Sequence, residues 1–261
     1  MVNIIPGAGT AFSKLYGQET NALYTTNMTG NFIPSTGIQS SYWDNQVGSG
    51  KNLRRFNGIP KSNTVSCHFW LFDGSNDYLG PAESGYGGDP FLVNGAQAFT
   101  MAQWYKHINN ARHIAFSLTY SSSNVMTLWT GSRVNNQMTL EVDSGGRQDF
   151  TNFTFSNNTW YYIAVVHHGS NQFSFFVNGS FVESTGSVNI TDNTASTEGE
   201  GGEAEELQIG KIAGSTYTAA NIKVGHVHIY NAALKSSQLR QNCLATHDIN
   251  NQRIYGADFT R

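Results

Sequence analysis

One stretch limits the possible folds more than any other: residues 160–182, WYYIAVVHHGSNQFSFFVNGSFV. It predicts two β-strands, 160–167 and 173–178, joined by a polar turn at 168–172. Asn178-Gly179 then ends the second strand, because that pair favours the positive-φ geometry of a tight turn. Aromatic and β-branched residues fill both strands and suit a pleated surface. The first strand is apolar on both faces, with Tyr162, Ala164 and Val166 on one and Tyr161, Ile163 and Val165 on the other. An antiparallel sheet usually keeps one face polar and wet. The second face here must therefore be covered by a second sheet, a ligand or a partner.

The rest of the chain repeats the pattern. Strands are expected within 65–79, at 98–106, 113–120, 125–130, 137–143, 150–155, 207–210 and 222–230, with Ser/Asn/Gly turns between them. Only 13% of residues are charged, against roughly 25% in typical soluble proteins. The 27 glycines, with Asn, Ser and Thr, take up the difference. Such spacing indicates an all-β sandwich and disfavours long amphipathic helices. One short helix is expected after Ser236, its plausible N-cap, with Leu239 and Cys243 as the apolar stripe. Residues 1–30 lack periodicity and read as an N-terminal arm or irregular lead-in, leaving 31–261 as the domain.

Several function classes are disfavoured. A net charge of −3 gives no general reason to bind nucleic acid or an anionic membrane. No apolar run approaches the ~20 residues of a membrane span, and the start of the chain has no secretion-signal pattern. GSGK at 48–51 lacks the first glycine and the Ser/Thr of a phosphate loop, having Asn52 instead. The N-x-S/T matches at Asn27, Asn152, Asn157, Asn178 and Asn189 read as chance in so Asn- and Thr-rich a chain. Cys67 and Cys243 sit in apolar settings and read as buried free thiols, with a long-range disulfide as the alternative. His167 and His168 point to opposite faces of a strand and chelate poorly. His226 and His228 point the same way but lack a third ligand. Residues 192–206 carry six of the 18 acidic residues and read as a solvated loop or a site for a divalent cation or a basic partner.

The order of the pieces carries a resemblance. Phe72-Asp73-Gly74 with Asp77-Tyr78, Phe99-Thr100 with Trp104, and Trp160 with Ala164-Val165 come first. Phe176-Val177-Asn178-Gly179, Ile209-Gly210 and the run from Val227 to Leu234 follow. Together they resemble a laminin-G-like jelly roll of the concanavalin A-like lectin/glucanase superfamily, over about residues 35–256. Tyr42-Trp43-Asp44, Asn57-Gly58, Gln241-Asn242 and Arg253-Ile254-Tyr255-Gly256 are similar to copies of this module in phage and virus structural proteins. The resemblance implies an all-β, two-sheet antiparallel jelly-roll sandwich. Some relatives bind Ca²⁺ and carry an acidic pair where this chain has Gly225 and His226, which puts a family-type calcium site in doubt. Asp73 and Asp77 remain as metal candidates, the competing reading being a turn. No cofactor is required.

The expected function is a non-catalytic virion component, a capsid decoration, fibre or spike, made in host cytoplasm. It would bind surface glycans, neighbouring virion subunits or further copies of itself. Sugar rings stack on aromatics, and the candidates are Trp104, Tyr105, Trp129, Tyr161 and Tyr162. A cellular lectin module is the first alternative and a glucanase-type glycoside hydrolase the second. The hydrolase would need two carboxyl groups ~5–5.5 Å apart. Glu141 and Asp143, at i and i+2, supply one pair, but the further Glu of the E-x-D-x-E-like run is missing.

Overall fold

The computed structural model describes residues 22–33, 42–43, 45–47, 52–56, 61–64, 67–81, 97–108, 113–121, 124–130, 136–142, 146–169, 172–186, 206–211 and 221–247. In chain order the elements are β1 (Met28–Phe32), β2 (Tyr42–Trp43), β3 (Leu53–Phe56), β4 (Lys61–Thr64), β5 (Cys67–Leu71), β6 (Tyr78–Pro81), β7 (Ala98–His107) and β8 (His113–Ser121). There follow β9 (Asn124–Thr130), β10 (Met138–Val142), β11 (Gly146–Phe150), β12 (Thr159–His168), β13 (Phe173–Val177), β14 (Ser180–Ser184), β15 (Glu206–Gln208), β16 (Lys223–Tyr230) and the helix α1 (Ser236–His247). The expected all-β sandwich is the observed one. An eight-stranded sheet runs β14-β13-β12-β7-β16-β5-β4, with β1 also on β16. A five-stranded sheet runs β11-β10-β9-β8-β15, and β2-β3-β6 form a small third sheet.

The opening hairpin forms as its sequence predicts. Strands β12 and β13 pair antiparallel from Ile163↔Val177 to His167↔Phe173. Asn178 and Gly179 both take positive φ, 53° and 79°. The Asn178 side chain also accepts a 2.9 Å hydrogen bond from Tyr162 N. The two apolar faces of β12 have separate covers. Tyr161, Ile163 and Val165 join the core between the two large sheets. Trp160, Tyr162, Ala164 and Val166 join a second core with Leu234, Leu239 and Cys243, against which Leu23 and Tyr24 also pack. Helix α1 and the segment before β1 therefore close the outer face within the chain itself.

Polar contacts fix this outer layer. Trp104 Nε1 donates to Thr246 Oγ1 at 2.7 Å. Asn242 Nδ2 donates to the Tyr230 hydroxyl, which in turn donates to Tyr24 O. Tyr24 N returns a bond to Asn242 Oδ1. The expected N-cap moves by one residue. Lys235 O accepts from Gln238 N and Leu239 N, and Gln238 Oε1 reaches back to Lys235 N, half of a capping box. Ser236 Oγ donates instead to Gly179 O, tying the helix to the hairpin turn. Leu239 and Cys243 are buried as the stripe requires, and burial pushes the Cys243 thiol pKa up.

Two further expectations shift. A boundary at residue 30 falls inside β1, which pairs with β16 from Met28 to Phe32; residues 1–21 lie outside the described residues. The strand expected at 150–155 ends at Phe150. Phe153 and Phe155 leave the sheet as turn and coil residues and pack edge-on against Tyr161, so their alternation reports ring packing rather than a ladder. The acidic stretch before Glu206, GSGK, Asn57-Gly58 and the 253–256 motif lie outside the described residues, as do the side chains of Cys67 and Glu206.

Strand β16 contains a bulge. Val224 faces Tyr105 and Val227 faces Gln103, so one extra residue lies between them. The extra residue restores alignment: Ile222, Val224, Val227 and Ile229 all reach the inner core, while Tyr230 joins the outer one. His226 and His228 stack on the outer side with ring centroids 6.2 Å apart, and His228 Nδ1 meets the Tyr162 hydroxyl at 2.8 Å. Burial lowers the His228 pKa to about 3; burial, then the neighbouring His228, puts His226 well below its ordinary value. Both rings are thus neutral when folded, whereas unfolded imidazoles protonate near pH 6.5. The unfolded state then binds more protons, so stability is full above pH 6.5 and falls as pH drops towards 3. Thermal melts at pH 5.0 are expected at least about 5 °C below those at pH 7.5. His228→Gln should flatten part of that dependence, the rest being kept by His226, His107 and His167, whose pKa values burial also lowers.

Candidate functional site

The outer face of the five-stranded sheet gathers polar side chains that no local reading of the sequence aligns. Along β10, Met138, Leu140 and Val142 enter the core, so Thr139 and Glu141 point the other way. The register then sets one row across all five strands: Gln208 faces Ser117, Ser117 faces Thr127, Thr127 faces Glu141, and Glu141 faces Arg147. Beside it runs a second row, Ile114, Trp129, Thr139 and Asp149.

The rows are chemically joined. Arg147 Nη2 pairs with Glu141 Oε1 at 2.6 Å, and its guanidinium carbon lies 5.4 Å from the Trp129 ring centroid. Thr139 Oγ1 donates to Asp149 Oδ1 at 2.7 Å. The first row passes from closed to open. Gln208, Ser117 and Thr127 are buried, while the Glu141 and Arg147 side chains are 22% and 38% exposed. Ser117 Oγ, fully buried, has no hydrogen-bond partner among the described residues. A hydroxyl in that state costs about 1–3 kcal/mol until something bonds it.

All five aromatic candidates are buried, so none of the rings lies open to a sugar. Trp129, 2% exposed, lies on this face under Arg147; the other four belong to the large sheet, both of whose faces are covered. Tyr105 and Tyr161 lie between the sheets; Trp104 and Tyr162 lie in the outer core with α1. Tyr105 OH meets His107 Nδ1 at 2.9 Å, Tyr161 OH accepts from Ser156 N at 2.9 Å, and the polar atoms of Trp104 and Tyr162 are bonded as above. Asp73 and Asp77 shape a turn. Asp73 Oδ1 accepts from Ser75 N at 2.7 Å, Asp77 Oδ2 accepts from Asp73 N at 3.1 Å, and Gly74 between them has φ 80°. Burial raises the Asp77 pKa. No group of three or more His, Cys, Asp or Glu side chains suited to a metal occurs among the described residues. His167 is buried against Gln97 O and His168 is exposed on Ser174, on opposite faces as expected.

A family model described as the concanavalin A-like lectin/glucanase superfamily, laminin G type, matches residues 73–240. The chain belongs to this superfamily. A search of the curated proteins gives no match. Among solved structures, Trypanosoma rangeli sialidase aligns with a TM-score of 0.61 at 14% identity, over 88% of this chain and 35% of that one. The binding domain of botulinum neurotoxin DC, solved with rat synaptotagmin II, aligns at 0.59 and 10%, over 85% and 52%. The binding domain of Paraclostridial mosquitocidal protein 1 aligns at 0.60 and 14%, over 84% and 52%. At these identities the likeness is one of fold, and the chain spans about a third to a half of those structures.

The concanavalin A-like frame also explains which site residues the sequence alone misses. Ser117, Thr127, Thr139, Arg147, Asp149 and Gln208 are ordinary strand residues until register joins them. The only local signal is the alternation of 125–130 and 137–143. Chemically the face offers carboxylate acceptors, hydroxyls and a guanidinium around an indole. Glu141, one half of the expected carboxyl pair, is held by Arg147, and Asp143 lies outside the described residues. No helix among the described residues is long and apolar enough to cross a membrane.

Proposed function

We propose that this chain is a non-catalytic recognition module that binds carbohydrate on the outer face of the five-stranded sheet. The observation that carries the reading is the open end of the polar row, Glu141 and Arg147 with Asp149 beside them. Sugar hydroxyls donate and accept at once, and two carboxylates with a guanidinium answer both needs. Trp129, itself buried, packs under Arg147 and steadies it. The superfamily's lectin-like fold, and binding domains among the solved structures of similar fold, support recognition of a glycan or a receptor.

The setting we propose is a virion, with the module as a decoration, fibre or spike component that contacts neighbouring subunits or further copies of itself. Its support is the sequence likeness of Tyr42-Trp43-Asp44 and Gln241-Asn242 to modules of phage and virus structural proteins. Mass spectrometry of purified particles checks the setting. A glycan array checks the activity. Arg147→Ala and Asp149→Asn are expected to weaken binding about tenfold each, the loss of a hydrogen bond to a charged group. Their melting temperatures should stay near that of the parent, and no reducing ends should be released. Binding unchanged in both variants would remove the site, and turnover abolished by Glu141→Gln would overturn the non-catalytic reading.

A further inference from the structure

The charges on the outer face define which glycans it accepts. Among its described side chains the ionised ones are Glu141, Asp149 and Arg147, two acids against one base. Arg147 is the one cation among those described side chains to meet an anionic sugar. It is already committed on two sides, to Glu141 at 2.6 Å and to the Trp129 ring. A ligand carboxylate or sulfate reaching for Arg147 would displace Glu141. That would leave the Glu141 carboxylate unpaired beside a second anion, with Asp149 on the same strand as Arg147. Like charges forced together at an interface are strongly unfavourable.

Uncharged sugars meet no such barrier. Their hydroxyls donate to the oxygens of Glu141 and Asp149 without breaking the ion pair, and charge-assisted bonds of that kind are the stronger sort.

We propose that Glu141 is a specificity-determining residue: by neutralising Arg147 it restricts this face to uncharged glycans and rejects sialylated and sulfated ones. The proposal rests on the carbohydrate reading above and names its ligand class. Binding is measured on immobilised neutral N-acetyllactosamine glycans and on their sialylated and sulfated forms, for the parent chain, Glu141→Gln and Arg147→Ala.

The parent is expected to bind the neutral set and discriminate against both anionic sets. Glu141→Gln frees the guanidinium, and binding of the anionic sets should rise about tenfold. Arg147→Ala should weaken neutral binding without any anionic gain. Two outcomes overturn selectivity while leaving the carbohydrate reading intact. One is a parent that prefers the anionic forms and loses them in Arg147→Ala; the other is Glu141→Gln with the parent's selectivity. Absence of binding to every glycan in the parent overturns the carbohydrate reading and the selectivity with it.

Discussion

Inserting one alanine between Val227 and His228 is expected to abolish cooperative folding. The β16 bulge, where Val224 pairs with Tyr105 and Val227 with Gln103, is what lets Ile222, Val224, Val227 and Ile229 share the inner core. A residue added beyond the bulge turns the rest of the strand over. Ile229 then leaves the core, and His228 and Tyr230 enter it. A buried aliphatic side chain is worth about 1.5–3 kcal/mol. The bonds of His228 to Tyr162 and of Tyr230 to Asn242 and Tyr24 go as well, and a buried polar group left unbonded costs about 1–3 kcal/mol. A loss on the order of 5 kcal/mol or more is comparable to the whole stability of a typical domain. Deleting Gly225, by contrast, leaves Val224, Val227 and Ile229 on one face in plain alternation and should keep the transition cooperative. Denaturant unfolding monitored by tryptophan fluorescence checks both. A sharp transition for the insertion within a few tenths of molar of the parent's would show that the strand absorbs it.

Gly179→Ala is expected to lower the melting temperature by roughly 10 °C. Gly179 has φ 79°, a region that costs an L-residue about 1–2 kcal/mol. A Cβ there would also collide with helix backbone, 2.6 Å from Arg240 N and closer still to Arg240 Cα. A flexible side chain could swing aside, but a packed helix must shift bodily. Overpacking of that kind costs about 1–3 kcal/mol more. The damage should be local. Hydrogen exchange is expected to speed up first in α1 and in the β12–β14 hairpin, with the five-stranded sheet protected. Uniform loss of protection across both sheets would contradict a hinge at this contact.

What was legible in the sequence follows the range of each signal. The hairpin could be read because its alternation and Asn178-Gly179 act over a few residues. So could the stripe of α1. The helix cap could not, because Ser236 is drawn to Gly179, 57 residues away. The two-faced apolarity of β12 correctly demanded a second cover, but its source, α1 with Leu23 and Tyr24, is a tertiary fact. The site shows the same limit more sharply. Trp104 and Trp129 are both strand tryptophans, and composition does not say that one lies under a helix and the other under an arginine. The row from Gln208 to Arg147 exists only once five strands are in register.

The pairing of β1 with β16 also sets an order of events in time. Thr29 and Ile229, bonded across these strands, are 200 residues apart in the chain. At ribosomal speeds that separation is about 10–40 s of synthesis. Through that interval β1 carries an unpaired backbone edge, and β7, made long before β16, lacks a neighbour on that side. The large sheet cannot close until its late central strand arrives, so closure waits on the synthesis of β16 rather than on local propensity. A nascent chain of this design is most prone to wrong pairing just before β16 emerges.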